Sequence, residues 1–286
     1  MTYQEANQKG KTILAEQNIE DAAVDAWLLM EFVTGMSHTR FFVDGMAQMK
    51  SEEEERYFQL IEKRAKRIPL QHLTGVQEFM GLEFMVNEHV LIPRQDTELL
   101  VLEAEKQLRK TSDASWRVLD MCTGSGCIAI SLKTRNPQIR CVAVDLSEQA
   151  LEVAEKNAEK MQAEIQFVHT DMFSNITGTF DMIVSNPPYI PTKVIESLEE
   201  EVRLYDPFSA LDGKEDGLYF YRILAKESPR FLKNGGWLYM EIGHDQSAAV
   251  EKLLKDAGFE EICTEKDLAG LDRVVCGVYN RSEEDE

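Results

Sequence analysis

The sequence predicts an α/β chain in which a mostly parallel, doubly wound sheet follows a small helical bundle and a β-hairpin linker. From Trp116 onward, short β-branched apolar runs alternate with amphipathic stretches, which is the pattern of strands and helices in a parallel sheet. Before Pro69 the apolar residues recur at helical spacing instead. Between these regions, in residues 69–92, the apolar residues recur at a shorter spacing on both sides of Met80 and Gly81, which is typical of a hairpin.

Residues 1–68 are predicted to form a helical domain that recognises a partner. The basic run at residues 63–67 suits the last turn of a helix, because cations are favourable at that end of the helix dipole. A surface that faces RNA is the alternative for the same run. The predicted helices are residues 3–17, residues 21–33 with Gly35 as the stop, a helix capped by Ser37, and a helix that begins at Ser51, has Glu54 as its capping-box partner and ends near Arg67.

The linker is expected to be an antiparallel hairpin with its turn at residues 79–82. Its flanks are residues 71–74 and 84–87. The two histidines of this region, His72 and His89, stand alone in the sequence and are interpreted as structural.

Residues 93–280 are predicted to form the sheet domain, and residues 281–286 an acidic tail. Arg94 precedes the first helix of this domain and could line a site or pair with a nearby acid. The predicted strands are residues 117–121, 141–145, 165–168, 182–184 and 237–242, with two closing strands near Glu261 and Val274. The predicted helices are residues 126–135, 216–232 and 246–257, one capped by Asp96 or Thr97 that ends near Arg109, and one capped by Ser147 that ends at Met161; residues 234–236 are a turn.

The chain is strongly acidic, with a formal charge of −20, and most of that charge follows Gly75, where 22 basic side chains accompany 39 acidic ones. This sign is a poor match for a phosphate backbone, so direct binding of nucleic acid is not expected. Solubility explains the charge, and a basic partner is the alternative. Five cysteines without paired spacing predict reduced thiols rather than a disulfide framework or a zinc site. The first residues lack the pattern of a signal peptide, and a cytoplasmic monomer is expected.

A stiff elbow at residues 186–189 follows the predicted strand that ends at Val184. Pro187 and Pro188 have fixed φ and no N–H, so neither a strand nor a helix continues through them. Open α/β sheets place their ligands at the carboxyl ends of strands. There the Asn186 amide and a main-chain carbonyl could accept hydrogen bonds from a planar NH2 group, beside the flat face of Tyr189. A simple proline-rich turn is the alternative.

A glycine-rich loop, residues 122–126, follows the first strand of the sheet domain. It contains Cys122, Thr123, Gly124, Ser125 and Gly126. Glycines permit close approach of a ligand, and the next helix offers free N–H groups. The following strand ends in Asp145, at the spacing where a carboxylate grips a ribose diol.

The loop is compatible with two kinds of cofactor that contain a nucleoside. Residues 124–129 also fit the dinucleotide pattern G-x-G-x-x-A, so a nicotinamide enzyme is one possibility. S-adenosylmethionine fits better, because the elbow has no hydride-transfer partner and the site needs no pyrophosphate cradle. Asp171 could then accept from the adenine amino group, and a turn or helix cap explains Asp171 equally well.

Several further motifs give the chain a family resemblance along most of its length. It resembles the bacterial release-factor glutamine methyltransferases, the HemK/PrmC family of class I S-adenosylmethionine enzymes. Asn-Pro-Pro-Tyr alone is shared with adenine-N6 methyltransferases, whereas the joint set is specific. The motifs are residues 79–84, 91–94 with 96–98, 123–129, 143–147, 185–190, 216–218 with 221–222, 241–243, and 267–270 before 272–275.

The resemblance implies a Rossmann-like catalytic domain that methylates the side-chain nitrogen of the glutamine in a Gly-Gly-Gln motif of release factors. It implies that residues 122–126 line the cofactor, that Asp145 holds its ribose and that Met172 lies at the adenine. It also implies that Asn186, Pro187, Pro188 and Tyr189 hold the substrate glutamine, with Asn186 near the cofactor and Arg94 at the site.

Two positions depart from the family pattern. Cys122 stands where the family usually has glycine; a Cβ there is expected to require an ordinary φ and to crowd the methionine moiety. Gln95 replaces a usual proline and leaves Arg94 in place.

The amide nitrogen of glutamine is a poor nucleophile, so positioning is expected to carry much of the catalysis. The Asn186 side-chain oxygen and the Pro187 carbonyl would accept its two N–H bonds, with Tyr189 packed against the amide plane. No general base is assigned.

Two rival functions remain. One is a methyltransferase for nucleic acid or for a ribosomal-protein glutamine. The other is a non-catalytic binding module that has kept the fold.

Overall fold

The computed structural model describes residues 1–110 and 115–281. The chain divides into two compact units. The N-terminal unit comprises residues 1–76 and 199–205, and the C-terminal unit comprises residues 77–198 and those from 206 onward. Within these described ranges, no helix combines the length and apolar character needed to cross a membrane. The tail predicted at residues 281–286 lies outside the described residues from position 282.

The helices of both units follow the chain in this order: α1 (Tyr3–Glu16), α2 (Ala22–Thr34), α3 (His38–Asp44), α4 (Ser51–Ala65), α5 (Leu70–Thr74), α6 (Thr97–Leu108), α7 (Cys127–Arg135), α8 (Glu148–Lys160), α9 (Thr192–Ile195), α10 (Glu200–Tyr205), α11 (Phe208–Leu211), α12 (Tyr219–Glu227) and α13 (Ser247–Asp256). The strands are β1 (Val76–Phe79), β2 (Leu82–Met85), β3 (Arg117–Met121), β4 (Arg140–Asp145), β5 (Ile165–His169), β6 (Phe180–Ser185), β7 (Leu232–Glu241), β8 (Phe259–Lys266) and β9 (Asp272–Tyr279).

Helices α1, α2 and α4 of the N-terminal unit pack around one apolar core that includes Leu14, Leu29, Tyr57 and Ile61. These helices match the predicted ones to within one or two residues. Gly35 ends α2 in the left-handed region at φ +64°, and the Ser37 side chain accepts from the backbone N–H of Arg40, as predicted.

The predicted cap of α4 is wrong. Lys50 occupies the N-cap position, and Ser51 is already helical. The Glu54 carboxylate binds the amino group of Met1 at 2.9 Å instead of the backbone of Ser51. A full capping box occurs at α1, where Thr2 and Glu5 each bond to the other's backbone N–H.

The predicted hairpin is confirmed, although its first strand lies later than expected. Residues 71–74, expected as strand, belong to α5, which starts after Pro69 and ends at Gly75 with φ +77°. The two strands are β1 and β2. Met80 and Gly81 between them have φ of +54° and +75°, the pair of positive values that a tight two-residue hairpin turn needs.

The C-terminal unit contains a seven-stranded sheet in the order β5-β4-β3-β6-β7-β9-β8. Neighbouring strands from β5 through β7 pair in parallel, and β9 and β8 close the sheet antiparallel. The sheet is therefore doubly wound as predicted. The strand order reverses between β3 and β6, and this is the point where ligands bind in open α/β sheets.

The pairing of β3 with β6 is fixed at both ends. At the carboxyl end Ser185 Oγ donates to the Met121 carbonyl at 2.8 Å. At the opposite end the backbone N–H of Arg117 donates to Asp181, and its guanidinium lies over the Phe180 ring. The same guanidinium donates to two carbonyls of the turn before β6, so close to Gly178 that a Cβ there would lie 2.4 Å from Arg117 Nη1.

Three parts of this unit differ from the predictions. The helix predicted at residues 216–232 is shorter: α12 is followed by a 3-10 turn at Ser228–Arg230, and β7 already begins at Leu232. The predicted turn at residues 234–236 is a bulge inside β7, since Phe180 pairs with Leu232 but Met182 pairs with Trp237. Residues 191–211, for which no element was predicted, contain α9, α10 and α11.

Candidate active site

The loop between β3 and α7 is held by a buried carboxylate. Asp120 Oδ2 accepts from Thr123 Oγ1 at 2.6 Å and from the Ala129 N–H at 3.2 Å. Burial raises the pKa of Asp120 to about 7, while these hydrogen bonds act to lower it. Gly126 caps α7 at φ +81°, and a Cβ there would lie 2.8 Å from the Ile130 side chain. The lack of a side chain at Gly126 therefore permits close packing at the start of α7.

Cys122 corrects one expectation about this loop. Its Cβ does not impose an ordinary φ, because the residue adopts the left-handed value of +62°. A side chain in that region costs roughly 1–2 kcal/mol relative to glycine. The thiol lies 4.0 Å from Met172 Sδ, and burial raises its pKa, so the sulfur remains a neutral thiol.

Asp145 ends β4 with its carboxylate held by the backbone. One oxygen accepts from the Gly124 N–H and the other from the Ser147 N–H, both at 2.9 Å. Burial raises the pKa of Asp145, and these two N–H groups act against the rise. Each carboxylate oxygen can accept a second hydrogen bond, so the pair suits the two hydroxyls of a ribose.

A cavity of about 320 Å3 opens at this edge of the sheet. Its volume lies within the range of small-molecule sites. Ten of the predicted site residues line it, whereas Gly126, Pro187 and Tyr189 do not. The ten are Arg94, Cys122, Thr123, Gly124, Ser125, Asp145, Asp171, Met172, Asn186 and Pro188.

Some residues that line the cavity carried no prediction of a site. His89, which was interpreted as structural, lines the cavity, as do Thr97, Pro207 and Phe220. The motif that contains Thr97 was part of the family resemblance, yet no role followed from it. Pro207 belongs to the region between residues 191 and 211, where apolar periodicity is too short to indicate an element.

The elbow presents Asn186 to the cavity. Asn186 is half-buried, and its Nδ2 donates to Thr97 Oγ1 at 3.2 Å. Among the described residues, none donates a hydrogen bond to Asn186 Oδ1 or to the Pro187 carbonyl. Two acceptors are thus available at the elbow, which is what a planar NH2 group requires.

Tyr189 is held from behind the elbow. Its hydroxyl donates to Glu241 Oε1 at 3.4 Å, and its carbonyl accepts from Gln246 Nε2 at 3.0 Å. Glu241, the last residue of β7, is 2% exposed. Burial raises the pKa of Glu241 to about 7. These contacts fix the ring, although Tyr189 does not line the cavity.

Arg94 both lines the cavity and pairs with an acid, which combines the two predictions made for it. Its partner is Asp206, at 2.6 Å, and this carboxylate is far away in sequence rather than nearby. Burial raises the pKa of Asp206, and the Arg94 guanidinium acts against the rise. Of the next residues, Pro207, Ser209 and Ala210 line the cavity, so the ion pair helps to place this part of the wall.

Comparison with known proteins adds to this geometry. Residues 95–201 match the family model of the methyltransferase small domain, and residues 5–75 match that of the PrmC N-terminal domain. The chain is 42% identical over 265 residues to the release factor glutamine methyltransferase of Geobacter sulfurreducens, with 92% of each chain covered. It is 38% identical over 283 residues to that of Caulobacter vibrioides, with 98% of this chain and 97% of the relative covered.

Among solved structures, a methyltransferase from Pyrococcus furiosus matches with a TM-score of 0.54 and 16% identity. The match covers 77% of this chain and 100% of that chain. This likeness concerns the fold.

Proposed function

The chain belongs to the release factor glutamine methyltransferases, and from that premise we propose which of its residues bind the cofactor and orient the substrate amide. Its activity is the transfer of a methyl group from S-adenosylmethionine to the side-chain amide nitrogen of a glutamine in a release factor. One observation carries the assignment of residues. Cys122 and Asn186 directly follow Met121 and Ser185, which pair at the ends of β3 and β6, so the loop and the elbow share one cavity.

The donor set of the cavity fits S-adenosylmethionine. When bound, this group supplies a methyl on a positively charged sulfur. Asp145 has two oxygens with spare acceptor capacity for the ribose diol, and Asp171 has a carboxylate with no hydrogen-bond partner among the described residues, suited to the adenine amino group. Met172 adds an apolar side chain to the cavity lining, next to Cys122, and Thr123, Gly124 and Ser125 line the cavity as well.

The elbow orients the substrate. Asn186 Oδ1 and the Pro187 carbonyl accept the two N–H bonds of the glutamine side chain, which fixes the amide plane. A positively charged nitrogen develops during transfer, and the two oxygen dipoles stabilise it. Restricting the amide to one orientation supplies much of the rate enhancement, since a well-oriented pair avoids the entropy loss of a random encounter. Pro188 and Tyr189 keep the elbow rigid, and Arg94 holds the wall of residues 207–210.

The partner is proposed to be the Gly-Gly-Gln loop of class I release factors. Residues 1–68 would recognise the rest of the factor, and residues 69–92 would link them to the catalytic domain of residues 93–280. We also propose a cytoplasmic monomer that makes no direct contact with nucleic acid. The acidic side chains that follow Gly75 support this, because their negative charge repels phosphate.

Mass spectrometry of a full-length release factor after incubation with enzyme and S-adenosylmethionine tests this function. The peptide that contains Gly-Gly-Gln should gain the mass of one methyl group on the glutamine. A release factor with that glutamine changed to alanine is the matched control and should gain nothing. DNA and ribosomes tested in parallel address the rival substrates, and methylation of either one without methylation of the release factor would contradict the proposal.

A further inference from the structure

We propose that Gln246 is a positioning residue that holds the elbow of residues 186–189 in the orientation that receives the substrate amide. The inference rests on the proposed function, in which Asn186 Oδ1 and the Pro187 carbonyl accept the two N–H bonds of the glutamine side chain. Gln246 is the N-cap residue of α13, is 8% exposed and does not line the cavity. It therefore acts on turnover through the elbow rather than through contact with either ligand.

The Gln246 carboxamide joins two backbone groups whose hydrogen-bonding roles are fixed. Its Oε1 accepts from the Gly243 N–H at 2.9 Å, and its Nε2 donates to the Tyr189 carbonyl at 3.0 Å. A backbone N–H can only donate and a carbonyl can only accept, so a single orientation of the carboxamide satisfies both groups. The Gln246 side chain therefore ties the last residue of the elbow to the loop that follows β7.

Gly217 makes room for this contact. Its φ is +75°, and a Cβ there would clash with the Tyr189 carbonyl oxygen and lie 2.7 Å from Gln246 Nε2. The Gly217 carbonyl also accepts from Gln246 Nε2, at 3.4 Å. Residues 216–218 and 241–243 belong to the motifs of the family resemblance, yet they do not line the cavity. Their contacts with Gln246 give both motifs a place in the support of the elbow.

The peptide group between Tyr189 and Ile190 is held from both sides. Its N–H, which belongs to Ile190, donates to the Leu211 carbonyl at 3.0 Å, and its carbonyl accepts from Gln246. Because a peptide group is planar, two bonds on opposite sides fix its tilt as well as its position. Without Gln246 the group could pivot about the bond to Leu211.

Two prolines carry this restraint back to the site of the substrate amide. Pro187 and Pro188 each have a fixed φ, so few torsions are free between the Tyr189 carbonyl and the Pro187 carbonyl. A pivot of the peptide group after Tyr189 would therefore displace the Pro187 carbonyl and the Tyr189 ring together. A displacement of about 1 Å at a reacting group can lower turnover by roughly 100-fold.

Turnover of Q246M tests the positioning role. Methionine has nearly the length of glutamine but offers no N–H donor and no oxygen acceptor. We expect kcat to fall by roughly 10- to 100-fold, the size for a misplaced reacting group. The KM for the release factor and the Kd for S-adenosylmethionine should each change by less than about threefold, because Gln246 contacts neither ligand. Wild-type kcat in Q246M would overturn the proposal.

Q246E is the conservative variant that should restore function when it is neutral. A neutral carboxyl has one acceptor end and one donor end, as a carboxamide has, whereas an ionised carboxylate would present a second acceptor to the Tyr189 carbonyl. The kcat of Q246E, taken as a ratio to the wild-type value at each pH, should therefore recover as pH falls from about 8 to about 5.5. The same ratio for Q246M should stay constant. A loss in Q246E that no pH restores would overturn the proposal.

Taking the ratio to the wild-type protein removes the titration of groups that both proteins share. These groups lie on the elbow, α12, β7, the loop before α13, and β9. They include Tyr189, Tyr221, Glu241, His244, Asp245 and Arg273.

Gln107 provides the matched control. It is a second glutamine with a buried Oε1, lies on α6 and does not line the cavity. Q107M and Q107E should keep the wild-type kcat at every pH, since Gln107 has no contact with the elbow. A loss of turnover in Q107M as large as that in Q246M would overturn the proposal, because it would show a general response to a buried glutamine.

A spectroscopic measurement makes the contact independent of the substrate. Tyr189-Ile190 is the only Tyr-Ile step in the sequence, so carbonyl-13C tyrosine combined with 15N isoleucine gives a single NMR signal for this peptide group. Its carbonyl resonance should shift in Q246M, where the hydrogen bond is lost, and should not shift in Q107M. An unchanged resonance in Q246M would overturn the proposal. If the resonance shifts but the wild-type protein methylates no release factor, the proposed function fails while the support of the elbow by Gln246 stands.

Discussion

Met121 and Ser185 lie directly opposite each other at the carboxyl ends of β3 and β6, and Ser185 Oγ donates to the Met121 carbonyl at 2.8 Å. The next residue on each strand, Cys122 and Asn186, therefore enters the same cavity from two different loops. Residues 64 positions apart in sequence are brought together by strand pairing alone. The loop of residues 122–126 and the elbow of residues 186–189 therefore both start from this one hydrogen-bonded pair.

Replacing Asn186 by alanine should abolish turnover with little effect on cofactor binding. The substrate amide would lose one of its two acceptors, and we expect kcat to fall by at least roughly 100-fold. The Kd for S-adenosylmethionine should change by less than about threefold, since Asp145 and residues 122–126 remain in place. Single-turnover methylation and calorimetry measure the two quantities. Near-normal turnover in N186A would remove Asn186 from the mechanism.

Replacing Asp145 by alanine should have the opposite effect. Loss of two hydrogen bonds to a charged group should weaken binding of S-adenosylmethionine by roughly 100-fold or more. E148A is the control, because Glu148 is an exposed carboxylate three residues away that pairs with His169 at 3.3 Å. Calorimetry should give E148A the Kd of the wild-type protein. Equal affinities of D145A and E148A would place the ribose elsewhere.

At position 122, glycine should give a more stable protein than alanine, which is the reverse of the usual order. Because its φ is +62°, glycine fits this position without the strain that any Cβ incurs. We expect C122G to be more stable than C122A by roughly 1 kcal/mol in urea unfolding. Cys141 provides the comparison, since it is buried in β4 without a positive φ. There C141G should be less stable than C141A, and the same order at both positions would mean that the loop relaxes.

The stability of the wild-type protein relative to E241Q should fall as pH rises. Burial raises the pKa of Glu241 from 4.5 to about 7, so the folded state keeps a proton that the unfolded state has already lost. The stabilisation is full below pH 4.5 and is lost as pH rises through about 7. Between pH 5 and pH 8, E241Q should therefore gain roughly 2–3 kcal/mol relative to the wild-type protein.

Urea unfolding at both pH values measures this difference, and E105Q serves as its control. Burial acts to raise the pKa of Glu105, but hydrogen bonds from Arg135 and Arg109 outweigh it and leave that pKa lowered. A lowered pKa gives stability that is present above the unfolded value of 4.5 and is lost only as pH falls below it, so the difference between E105Q and the wild-type protein should hardly change between pH 5 and pH 8. A gain in E105Q, or no gain in E241Q, would contradict the assignment of these two carboxyls.

Local chemistry was enough to predict most elements of the fold. The apolar β-branched runs of β3 and β6, the Ser147 cap of α8 and the Gly35 stop of α2 are signals carried by a few adjacent residues. The carboxyl ends of parallel strands meet at one edge of a sheet, so the sequence alone predicts that the loop after β3 and the elbow after β6 lie at the same edge.

The errors arose where distant residues decide the local structure. Residues 71–74 are too few for periodicity to separate helix from strand. The helices of residues 191–211 are four to six residues long and depend on contacts such as that of Asp206 with Arg94. The hydrogen bond from Asn186 to Thr97 joins the elbow to α6 across 89 positions of the chain, and a sequence without known pairing contains no signal for it.

The far end of the β3–β6 pair has a bearing on catalysis. Arg117 holds the turn around Gly178 and the start of β6. A slip of one residue between these strands would turn every β6 side chain to the opposite face and carry the carboxamide away from the bound sulfonium. Random mutagenesis scored by lost methylation should therefore yield variants at positions 117 and 178, which no inspection of the ligand-binding surface would select.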